Sequence, residues 1–123
     1  MNVKILSTIF VCTAALASKT TFANPEVTSA KYNIPVNKQI VLKGSLLKTR
    51  ILDCTVRSTG NKANLLWLTG MKNNTVVNGL IVPEGGVAYL VVNVGNRIRF
   101  EFEHRARLGV TNKGDSTVNL SCD

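Results

Sequence analysis

Arg97-Ile98-Arg99-Phe100-Glu101-Phe102-Glu103 places an apolar side chain at every second position and a charge at each position between. Successive side chains of an extended chain leave opposite faces. The stretch therefore predicts a half-buried antiparallel strand, with Ile98, Phe100 and Phe102 inward and Arg97, Arg99, Glu101 and Glu103 outward.

Working outward from this strand, the same grammar repeats. Toward the C-terminus, His104-Arg105-Ala106-Arg107 leads into Leu108–Asn112. A final run, Ser116–Cys122, follows after Lys113-Gly114-Asp115, which reads as a hairpin turn between the two. In that last run Val118, Leu120 and Cys122 share one face. Toward the N-terminus, Asn93–Asn96 is a turn and Val87–Val92 is apolar on both faces. Val76-Val77 and Leu80-Ile81-Val82 flank Asn78-Gly79, the pair favoured in a two-residue hairpin. Ala63–Met71 contains Leu65-Leu66-Trp67-Leu68, again apolar on both faces. Gln39–Lys43 and Tyr32–Val36 are shorter runs of the same kind.

Residues 46–59 have two readings. Leu47, Ile51, Cys54 and Thr55 fit helical spacing, with Ser45 as a cap. Leu52, Cys54 and Val56 fit strand alternation, and the β-branched content (Thr49, Ile51, Thr55, Val56, Thr59) favours the strand. Short strands punctuated by turns predict an all-β fold. The expectation is a small antiparallel β-sandwich, jelly-roll or immunoglobulin-like, with a small β-barrel as the alternative.

The chain's first residues read as an address. Lys4 precedes the apolar run Ile5–Ala17, and Thr21-Phe22-Ala23 supplies small residues at a cleavage position, as in a secretory signal. Cleavage is expected after Ala23, or else after Ala17. The run is shorter than the roughly 20 apolar residues that a spanning helix needs, so no membrane span is expected after cleavage. The expected organisation is a signal peptide over 1–23, a loose tail over 24–30 and one domain over 31–123, located in the periplasm or outside the cell.

Removal of residues 1–23 would take Cys12 away and leave Cys54 and Cys122. Two cysteines in an exported chain predict one disulfide. It closes a long loop and would contribute up to about 4 kcal/mol in the chain-entropy picture.

The full chain carries a formal charge of +8; losing Lys4 and Lys19 leaves 13 basic residues against 7 acidic ones, or +6. Such a balance favours anionic partners: an acidic or sulfated polysaccharide, or lipid headgroups. Arg97, Arg99, His104, Arg105 and Arg107 form the densest basic cluster and are the candidate anion-binding residues. Nucleic-acid binding is disfavoured, because few aromatic side chains remain to stack bases.

The runs apolar on both faces nominate a second surface, an apolar interface for a protein partner or a second copy. Leu66, Leu68, Val87, Tyr89 and Val91 are its candidate residues.

His104 is the chain's single histidine, and Arg99, Glu101 and His104 are the only set that suggests acid–base chemistry. Cross-strand ion pairing explains Arg99 and Glu101 equally well. No metal-ligand spacing, nucleophile elbow, phosphate loop or cofactor fingerprint is present in the sequence. The reading is a non-enzymatic exported β-domain that acts as a binding module for an envelope component, a partner protein or an anionic surface. A small secreted hydrolase, or an inhibitor or accessory subunit of a secreted enzyme, stands as the alternative.

Overall fold

The computed structural model describes residues 29–58, 60 and 62–123. The expected signal segment and residues 24–28 of the expected tail lie outside the described residues. The described chain is all strand and turn, with ten strands: β1 (Ala30–Ile34), β2 (Gln39–Lys43), β3 (Arg50–Ser58), β4 (Asn64–Lys72), β5 (Thr75–Val77), β6 (Leu80–Val82), β7 (Val87–Val92), β8 (Arg97–Phe102), β9 (Arg107–Asn112) and β10 (Val118–Cys122). The strand reading of 46–59 holds for β3, whereas residues 46–49 form a connection.

Two antiparallel sheets pack face to face. Sheet A has the order β1-β10-β3-β8-β5-β6, and sheet B has the order β2-β9-β4-β7. The pairings nest: β1 with β10, β2 with β9, β3 with β8 and β4 with β7. A long hairpin folded over on itself gives this order, which is the jelly-roll form of the β-sandwich and not the immunoglobulin form or a closed barrel. Only the β5–β6 hairpin stays within one sheet; every other connection crosses from one sheet to the other. That hairpin turns at Asn78 (φ 49°) and Gly79 (φ 83°), the left-handed pair its sequence predicted.

The expected hairpin at Lys113-Gly114-Asp115 is corrected. β9 belongs to sheet B and β10 to sheet A, so the two do not pair. Asn112 makes the crossing possible. Fully buried, it donates from Nδ2 to the carbonyls of Ile34 and Ser116 (2.8 Å each) and accepts the Gly114 N–H at Oδ1 (2.9 Å). A buried amide so satisfied holds the backbone where ladder bonds end.

Alternation fills the space between the sheets. Ile98, Phe100 and Phe102 from β8 meet Leu52, Cys54, Val56, Leu120 and Ile34 in sheet A, and Leu42, Leu66, Leu68, Leu108 and Val110 in sheet B. Phe100 and Phe102 stack with centroids 6.0 Å apart. Cys54 and Cys122 face each other directly across β3 and β10 and are joined as a disulfide. Gly70 is required for another reason. A β-carbon there would collide with the Pro83 carbonyl oxygen, where the β6–β7 turn folds onto β4. Among the described residues no helix is long and apolar enough to cross a membrane. A disulfide-bonded all-β chain of this kind fits an exported protein.

Candidate anion-binding site

The outer face of sheet B is built by the same alternation that fills the core. With Leu42 and Leu108 turned inward, Lys43 and Arg107 must turn outward. Register then sets Lys43 opposite Arg107 on β9, and Arg107 opposite Lys72 on β4, where a bulge after Gly70 brings Lys72 into line. Three cations thus lie in one row across three adjacent strands.

The β8–β9 loop adds a fourth. Arg105 adopts a left-handed backbone (φ 61°), and the tight turn buries Ala106 between two exposed arginines. The loop is fixed from below. The Arg105 N–H donates to the Ser45 carbonyl (2.7 Å), the Gly44 N–H to the Ala106 carbonyl (2.8 Å), and the Ala106 N–H to the Glu103 carbonyl (3.0 Å). Lys43, Lys72, Arg105 and Arg107, with Leu46, line one open depression of about 360 Å³. None of the four cations makes an ion pair among the described residues. Like charges set opposite one another repel, so this row is electrostatically unfavourable in the free protein.

The five candidate anion-binding residues named from the sequence therefore divide. Arg105 and Arg107 line the depression. Arg97 and Arg99 stand on the outer face of sheet A, on the far side of the sandwich. There Arg99 contacts the Asp53 carboxylate (3.6 Å) and the Glu101 carboxylate (3.4 Å). His104 is exposed in the β8–β9 loop, and its carbonyl accepts from Asn73 Nδ2 (3.0 Å). A separate depression of about 270 Å³ holds Glu101 and Glu103 but not His104, and Glu103 Oε1 accepts the Asn74 N–H (2.9 Å). Sequence reasoning missed Lys43 and Lys72. Alternation marks Lys43 as outward, but only the register of β2 and β4 on β9 brings the two lysines to Arg107.

The apolar candidates divide as well. Leu66 and Leu68 are fully buried in the core, so they belong to no surface. Val87, Tyr89 and Val91 are exposed on β7, and register sets Leu65 and Trp67 beside Val91 and Tyr89 on the same face. Trp67 packs edge-on against Tyr89 at 5.3 Å, with the Lys113 ammonium 4.8 Å above its ring.

β7 is also an open edge of sheet B. The Gly70 N–H donates to the Gly86 carbonyl and the Lys113 N–H to the Leu65 carbonyl. Even-numbered residues of β4 thus bond toward β7 and odd-numbered ones toward β9. By the same alternation Val87, Tyr89 and Val91 turn their backbone groups to the free side. Set against known proteins, the chain matches no family model, no curated protein and no solved structure.

Proposed function

We propose that this chain is an exported, non-enzymatic binding module that docks on an anionic surface through sheet B and the adjoining β8–β9 loop. The observation that carries the reading is the unpaired row Lys43–Arg107–Lys72, joined by Arg105 over one depression. Export rests on the signal-like residues 1–23 and on the Cys54–Cys122 disulfide, which needs an oxidising compartment. Phosphate, sulfate or carboxylate groups repeated along a surface suit such a row, because several cations engage at once and each contributes about 1 kcal/mol.

The test is retention on a sulfated-polysaccharide resin and on immobilised anionic lipid. The wild-type protein is expected to bind both and to elute at moderate salt. The double substitution Arg105→Ala, Arg107→Ala should elute at clearly lower salt, and Arg97→Ala, on the opposite face, should not. Equal elution of all three proteins would refute the assignment.

A second reading, a protein partner or a homodimer, is favoured by the uncharged open edge of β7 with its exposed Val87, Tyr89 and Val91. Light scattering of the purified protein across a concentration series tests it, and a constant monomer mass would remove the homodimer.

A further inference from the structure

The connection between β2 and β3 carries Leu46 and Leu47 side by side, 71% and 88% exposed. No other pair of adjacent large apolar side chains stands so far out among the described residues. The root of this loop is firmly held: Gly44 and Ser45 bond to Ala106 and Arg105, and an Arg50 guanidinium nitrogen donates to the Lys43 carbonyl. The base of the loop is thus anchored beside the β8–β9 loop, and residues 46–48 bend beyond it. Leu46 itself lines the depression that holds Lys43, Lys72, Arg105 and Arg107.

We infer that the partner of this site is an anionic lipid bilayer, with Leu46 and Leu47 entering the boundary of the acyl chains while the four cations engage headgroup phosphates. The inference rests on the anion-binding reading and narrows it to one source of anion. A polysaccharide would answer the cations but offers nothing to two leucines. A bilayer offers negative charge at its surface and hydrocarbon within about 5–10 Å beneath, in the order in which the loop presents its groups. Charge attraction alone gives reversible, salt-sensitive contact. Two inserted leucines add a component that salt does not screen.

The experiment floats the exported protein with vesicles of phosphatidylcholine alone and of phosphatidylcholine mixed with phosphatidylglycerol, with heparin-resin retention measured in parallel. The wild-type protein should float with the mixed vesicles only. The substitution Leu47→Ser lies outside the depression and should leave heparin elution unchanged while weakening vesicle affinity about fivefold or more. Vesicle binding that survives this substitution overturns the insertion and leaves the anion reading standing. Heparin binding without vesicle binding by the wild-type protein overturns the bilayer in favour of a polysaccharide. If Lys43→Glu, Arg107→Glu alters neither assay, both readings fall.

Discussion

The two outer faces of this sandwich are written in the same alternating code, yet they carry opposite electrostatic outcomes. On sheet A, Arg99 sits between Asp53 and Glu101, so strand register turns a mixed-charge stretch into pairs. On sheet B, the strands Gln39–Lys43, Asn64–Lys72, Val87–Val92 and Arg107–Asn112 contain no acidic residue, and register gathers their cations into one row. Sheet A is also the sheet stapled by the disulfide. On sheet A Arg99 has two carboxylate partners within the molecule; on sheet B the row Lys43–Arg107–Lys72 has none among the described residues. A cluster of charge in the sequence is therefore a poor guide to a binding site until the cross-strand partners are known.

The largest expected effect tests the staple. Replacing both Cys54 and Cys122 by serine removes a bridge between residues 68 apart in sequence. Stability should fall by about 2–5 kcal/mol in a urea titration, a large fraction of what a domain of this size has. A loss under 1 kcal/mol would mean that the β3–β10 pairing holds the C-terminal strand without its bridge.

The next effect separates the inner face of sheet B from its outer face at two adjacent residues. Leu68→Ala empties a core site and should cost about 2–5 kcal/mol. Trp67→Ala removes a larger side chain, but one that packs only against the outer face, and should cost clearly less. If the two urea midpoints fall equally, the inward and outward assignment of β4 is wrong.

Much of the architecture is legible in the sequence because period-two alternation is a local property. The β8 pattern, the Asn78-Gly79 hairpin and the pairing of the only two cysteines beyond residue 23 all follow from neighbours along the chain. The sequence was ambiguous where alternation fails. Leu65-Leu66-Trp67-Leu68 is apolar throughout, so parity could not tell Leu66 and Leu68, which are buried, from the outward Trp67. It was silent on what is not local. The nested strand pairing, the crossing at Asn112 and the meeting of Lys43, Lys72 and Arg107 join residues far apart in the chain. Lys113-Gly114-Asp115 has the composition of a hairpin turn, yet the buried Asn112 amide uses those residues to change sheets.

The smallest expected effect is also the sharpest test of the contrast between the faces, because its sign differs from one to the other. Arg99 is half exposed between two carboxylates, so Arg99→Ala should destabilise the protein by up to about 1 kcal/mol. Arg107 faces two cations and no acid, so Arg107→Gln should relieve repulsion and leave the protein slightly more stable, by some tenths of a kcal/mol. Both effects should shrink as salt rises, since these charges are exposed and screened. A soluble polyanion should raise the melting temperature of the wild-type protein by binding the folded state, and raise it less for Arg107→Gln. If Arg107→Gln instead destabilises as Arg99→Ala does, the Arg107 stem is contributing packing that outweighs the repulsion. The row on sheet B would then be a structural feature, and its case as a binding site would lose its electrostatic basis.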